Sequence, residues 1–243
     1  MEARLKLNKA KKLQERHLVG MLYITLEWAV IAGIVYWAFP GDFPVTPRNL
    51  FWTGKSVAEA AMASWPILAW GLVVSLLLSL FTERSRADKL IASTVHKYNM
   101  ALSVQAGVLE ELTHRYFAFI AMIGIIPMMN WVLFGWYNSG LLHWLYATIL
   151  IPMSNWLTAG NMSDLLTTTP WYVGAALLSA NAMFRDGHKH LGLLGFVNSW
   201  YVGMFLFWVM LQYGLLAAIT VHIVYDVIVF SMERLDATVF KRH

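Results

Sequence analysis

A helix that crosses a bilayer needs about 20 mostly apolar residues, and this chain offers seven such stretches. They cover 18–39, 61–81, 116–137, 140–159, 171–187, 191–212 and 214–232. Composition agrees: 58% of the 243 residues are hydrophobic and 13% are charged, against about 25% charged in a typical soluble domain. The 12 Trp and 10 Tyr suit the aromatic belts at the two membrane–water interfaces. The fold class that follows is all-α, a polytopic protein integral to the lipid bilayer. The length admits one membrane domain and no sizeable soluble partner domain. Cysteine is absent, which excludes disulfides, thiolate metal sites and Cys nucleophiles.

Charge placement sets the expected topology. The first seventeen residues, MEARLKLNKAKKLQERH, hold Arg4, Lys6, Lys9, Lys11, Lys12 and Arg16 directly before an apolar span. Such a run is read as the cytoplasmic flank of a membrane helix and not as a nucleic-acid arm, so no nucleic-acid partner is expected. The apolar stretch behind it is too long for a cleaved signal peptide, and no small-x-small cleavage site follows. PGDFPVTPRNLFWTGKS reads as an external loop and TERSRADKL, with Arg84, Arg86 and Lys89, as a cytoplasmic one. Seven spans from a cytoplasmic N-terminus end outside, yet the tail carries Arg234, Lys241 and Arg242, which favour the cytoplasm. An eighth segment, roughly 93–113, ending at two adjacent glutamates, restores the parity. The expectation is about eight transmembrane helices, with seven as the alternative. They divide into a basic segment 1–17, an integral membrane domain 18–232 and a tail 233–243.

An ionisable side chain at the bilayer centre costs about 2.5–3.5 kcal/mol on insertion scales, so such residues face a polar cavity or a partner. Here they collect in three places: Glu110, Glu111, His114 and Arg115; Arg185, Asp186, His188, Lys189 and His190; and His222 with Asp226. Glu27 and His143 stand apart and are read as packing or interfacial residues. In an α-helix, residues four apart share a face, so Glu111 and Arg115 can pair. Glu110 then points about 100° away from Glu111 and is available for other work. His222 and Asp226 likewise share a face. A Glu, two His and an Asp on separate helices are the parts of a hydrolytic site, with a base to activate water and donors to hold an oxyanion.

These residues also fall into a known pattern. EELTHR (Glu110 to Arg115) fits Glu-Glu-x-x-x-Arg, FRDGH (Phe184 to His188) fits Phe-x-x-x-His, and HIVYD (His222 to Asp226) fits His-x-x-x-Asn/Asp. In order and spacing the chain resembles, over about 95–232, the CPBP family of intramembrane proteases, which includes the CAAX prenyl endopeptidases and the bacterial Abi proteins. The resemblance implies about eight helices around a conical polar cavity and hydrolysis of a peptide bond in a membrane-associated protein or peptide. It implies Glu110 as the base that activates water and His188 as a second group on that water. His222 and Asp226 would stabilise the oxyanion, with Glu111 and Arg115 as the supporting pair. Glu110, His188, His222 and Asp226 could instead supply N and O ligands to one zinc. No His-Glu-x-x-His helix is present, and the reading leans to no obligatory metal.

The chain departs from the pattern at His114, where Phe is frequent, at Tyr116, where Gly is usual, and at Asp226, where Asn is frequent. Asp donates a hydrogen bond only when protonated. The small size points to a prokaryotic plasma membrane. Two other functions compete: a non-proteolytic scaffold or bacteriocin-immunity protein on the same fold, and a proton-coupled transporter. The lack of an inverted repeat weighs against the transporter.

Overall fold

The computed structural model describes residues 2–40, 43, 46–81, 104–105, 107–167 and 170–239. Helix α1 (Glu2–Ala38) runs unbroken from the basic segment into the first apolar span, Leu18–Ala38. The division at residue 17 is therefore one of composition and not of backbone. The loop that follows carries a short helix α2 (Pro47–Phe51). Thr46 caps it, and Pro47 occupies the first turn, where its missing N–H costs nothing. Helix α3 (Val57–Ala63) opens on a reciprocal capping box between Ser56 and Glu59. It meets α4 (Trp65–Phe81) at a bend of 52° between Val57–Ala63 and Trp65–Leu77.

Helix α5 (Gly107–Gly135) is the longest apolar span. It contains wide π-type turns at Glu111–Ala118 and at Trp131–Gly135. It ends where Phe134 adopts a φ of 67°. The Asn130 side chain ties off this end, donating to the Ser139 carbonyl at 2.9 Å and accepting the His143 N–H at 2.8 Å. Beyond lie α6 (141–157, with a π turn at Tyr146–Leu150) and α7 (Ser163–Thr167). Helix α8 (Trp171–Gly187) is followed by a single 3₁₀ turn, then by α9 (Gly192–Tyr213) and α10 (Leu215–Val239). Gly214 joins α9 to α10 at a φ of 96°. A Cβ there would lie 2.9 Å from the Phe51 carbonyl oxygen, so this turn demands glycine twice over.

Among the described residues no strand occurs, and four helices are long and apolar enough to cross a membrane: Leu18–Ala38, Gly107–Gly135, Gly192–Tyr213 and Leu215–Met232. The bent α3–α4 pair makes a fifth if it is one span. Helix α8 has 17 residues, about 26 Å of rise, which falls short of a 30 Å hydrocarbon core. The eighth span expected at 93–113 falls largely outside the described residues. Its expected end at the two glutamates is not where a helix ends, because α5 runs on through EELTHR.

Helix α5 lies at the centre, packed by α1 on one side and α8 on another, while α10 packs on α4, α5 and α9. The α1–α5 contact is close because Gly124 has no side chain, and a Cβ there would lie 2.3 Å from a Val35 methyl. Small residues let membrane helices approach in this way. Thr25 of α1 and Thr113 of α5 join their hydroxyls at 2.5 Å. One of the two donates to the other, which donates in turn to its own helix; the carbonyls of Met21 and Leu109 lie 2.7 Å and 2.6 Å from Thr25 and Thr113 Oγ1. These two buried hydroxyls are thus satisfied locally, as hydrocarbon requires.

Candidate active site

The site assembles from α5, α8 and α10. A π turn takes more residues per revolution than an α turn, so adjacent side chains diverge less. The turn that Glu110 opens and Glu111–Ala118 continues brings both neighbouring carboxylates to one imidazole. Glu111 Oε1 lies 2.7 Å from His222 Nδ1, and Glu110 Oε2 lies 3.8 Å from His222 Nε2. The α-helical reckoning, which turned Glu110 away to a task separate from Glu111, misses this sharing of His222. Arg115 Nη1 sits 3.0 Å from the same Glu111 Oε1, as the four-residue spacing predicted. Asp226, one turn beyond His222, places Oδ1 3.7 Å from Nε2.

Burial separates the roles. The side chains of Glu111 and Arg115 are 0% exposed and that of His222 is 4% exposed, whereas Glu110 reaches 14% and Asp226 22%. One nitrogen of His222 is anchored inward on Glu111, and the other looks toward two more accessible carboxylates. Gly107, one turn before Glu111, is what allows α10 to come this close: a Cβ there would lie 3.0 Å from the Ile223 side chain and 3.8 Å from the His222 ring.

Helix α8 ends at Gly187, and His188 caps it. His188 Nδ1 lies 2.8 Å from the Phe184 carbonyl. A carbonyl only accepts, so Nδ1 carries a proton and donates it to this bond. Phe184 is the hub of the site. Its ring lies 3.7 Å from the Arg115 guanidinium carbon, 4.6 Å from the His188 ring centre, 5.8 Å from that of His114 and 6.0 Å from that of His222. The stacked cation and ring compensate one another where water is excluded. Through this ring His114 belongs to the same cluster as Arg115, His188 and His222.

The other sequence candidates lie elsewhere. Arg185 and Asp186 pair with each other at 2.7 Å, and Arg185 covers the Phe196 ring. Lys189 is exposed, and the His190 side chain is outside the described residues. His143 packs its ring against Trp171 at the end of α5. Glu27 is on the exposed side of α1.

The sequence reading missed two parts of the site. Phe184 appeared there only as a letter of a motif. Asn181 and Gly203 did not appear at all. Asn181 is fully buried, and its amide donates to the Trp200 carbonyl at 3.0 Å. A Cβ on Gly203 would lie 1.9 Å from Asn181 Oδ1, 3.0 Å from Phe184 and 3.1 Å from Arg115 Nη2. The one available signal was an Asn in an otherwise apolar stretch of α8, three residues before Phe184. Beside Asp226, Tyr225 accepts from the Asn198 amide at 3.1 Å, and Asn198 accepts from the Trp70 indole at 2.9 Å. This chain of bonds ties α4, α9 and α10 together and fixes how far α10 is rotated.

The four donors considered for a zinc do not converge as ligands. Among the described residues no group of three or more His, Asp or Glu side chains is arranged to hold a metal ion. No step below is routed through a metal. Comparison of the chain with protein-family models, curated proteins and solved structures finds no match. The functional reading therefore rests on the residues themselves.

Proposed function

We propose that the protein is an intramembrane endopeptidase of the CPBP/CAAX type, which hydrolyses a peptide bond of a membrane-associated protein or peptide with water activated by Glu110. The observation that carries this reading is the graded cluster: an accessible Glu110 carboxylate facing His222 Nε2, with His222 held from behind by the fully buried Glu111–Arg115 pair. Separations of 3.7–3.8 Å are too long for direct hydrogen bonds. They suit groups that act on a water between them.

Glu110 accepts a proton from that water as its oxygen attacks the carbonyl carbon, and the carbonyl electron pair moves onto oxygen. His222, as the imidazolium, and Asp226, when protonated, donate to the oxyanion. His188 accepts from the water and orients it. Glu110 then returns its proton to the amine as the C–N bond breaks, leaving a carboxylic acid and an amine. No acyl-enzyme forms.

In this reading about eight helices surround a polar cavity within the bilayer of a prokaryotic plasma membrane. The basic N-terminus lies on the cytoplasmic side, as the run of Lys and Arg ahead of the apolar span of α1 favours. The test is a proteomic comparison of cells carrying wild type, Glu110→Ala, His188→Ala or His222→Ala. A precursor that accumulates in all three variants, each inserted at wild-type levels, supports the reading. Variants that retain the wild-type phenotype would identify a scaffold on the same fold instead.

A further inference from the structure

Glu27 takes no part in the site, and among the described residues none pairs with it. It lies one residue short of the middle of the span Leu18–Ala38, which has 21 residues. It is exposed. Thr25, two residues earlier, is buried against Thr113 of α5. Two residues turn the helix by about 200°, so Glu27 points away from the bundle, toward lipid. An ionisable group at that depth costs about 2.5–3.5 kcal/mol if it is left among acyl chains.

The surroundings of Glu27 form a regular seam. Gly20, Tyr23, Glu27, Val30, Ile34 and Trp37 recur at alternating steps of three and four residues, the spacing of a left-handed helix pair. Tyr23, Val30, Ile34 and Trp37 are 59–83% exposed, and none of the described residues comes within 4 Å of the position a Cβ would take on Gly20. The opposite seam, with Thr25, Ala32 and Val35, is the one used against α5.

We infer that this outer face of α1 is a homodimer interface, in which α1 packs in parallel against α1 of a second copy with the two Glu27 carboxyl groups hydrogen-bonded to each other. Two copies inserted with the same topology run parallel, so a two-fold axis sets each seam residue opposite itself. Gly20 then meets Gly20, where the backbones can approach, and Glu27 meets Glu27. A carboxyl that shares a proton with a carboxyl is self-complementary and needs no cationic partner. A single polar residue in such a seam also fixes its register. The inference stands independently of the proposed peptidase activity.

The chain has no cysteine, so single cysteines report the contact directly. Full-length Tyr23→Cys, Val30→Cys and Ile34→Cys are oxidised in native membranes beside Leu22→Cys, which is also exposed but lies about 140° round the helix from Glu27. We expect disulfide-linked dimers from the three seam variants and none from Leu22→Cys. Adding Glu27→Leu to Ile34→Cys should lower the dimer yield about fivefold, whereas Glu27→Gln, whose amide is also self-complementary, should keep it. Gly20→Phe, which leaves Glu27 intact, should lower it as well. Equal cross-linking at Leu22, no cross-linking at the seam, or a yield indifferent to Glu27→Leu overturns the inference. Loss with Glu27→Gln also overturns it and points to a cationic helix of another protein.

Discussion

At the scale of single residues, the separation of two adjacent glutamates by burial makes them distinguishable by experiment. Glu110→Gln removes the accessible base and leaves the buried pair intact. Turnover should fall by about 10²–10⁴-fold, in the range of general base catalysis, with thermal stability in detergent unchanged. Glu111→Ala strands Arg115, which is 0% exposed. Breaking one side of such a pair costs about 3–5 kcal/mol, so this variant should lose stability and activity together in a thermal melt. Arg115→Lys should not restore what the guanidinium supplies, because a compact ammonium does not reproduce the planar cation 3.7 Å from the Phe184 ring centre. His114 gives a third test. Its ring stacks edge-on against Phe184, within the cluster that also holds Arg115, His188 and His222. His114→Phe keeps the stack and removes the two ring nitrogens, and should alter the pH–rate profile; an unchanged profile would rule out an electrostatic part for this side chain.

At the scale of elements, three spans were legible from hydropathy almost to the residue. Stretches 18–39, 191–212 and 214–232 reappear as Leu18–Ala38, Gly192–Tyr213 and Leu215–Met232. The reading failed where charges interrupted the apolar run. EELTHR was taken as a boundary between two helices because composition cannot show that its Glu and Arg neutralise each other inside one helix. The π turn was equally invisible, because it follows from the demand that Glu110 and Glu111 share His222, and that demand comes from α10. The pairing of Glu111 with Arg115 was legible, being a local consequence of helical spacing. Asn181 and Gly203 were not, because their contact joins α8 to α9 across the core. Gly203→Ala should therefore be costly well beyond a surface substitution. Its methyl would displace Asn181 and press on Arg115 and Phe184, an overpacking worth about 1–3 kcal/mol. The check is a lowered melting temperature with activity lost before global unfolding.

At the scale of the whole molecule, the bundle places its charges by depth and by side. The basic run at the start of α1 flanks the first span, the Glu111–Arg115 pair lies in the interior, and Glu27 stands on the exposed side of that span. Fusing a reporter to the N-terminus, or labelling cysteines placed at residues 4 and 9, should locate this end in the cytoplasm. The central claim is that Glu110 drives hydrolysis of a peptide bond. It is tested most directly by mapping new protein N-termini in membranes of otherwise identical cells that express wild type or Glu110→Gln at matched levels. The account predicts at least one N-terminus, next to or within a membrane segment, that is present with wild type and lost with Glu110→Gln while its intact precursor accumulates. Identical sets of N-termini in the two membranes, with both proteins folded, would contradict it.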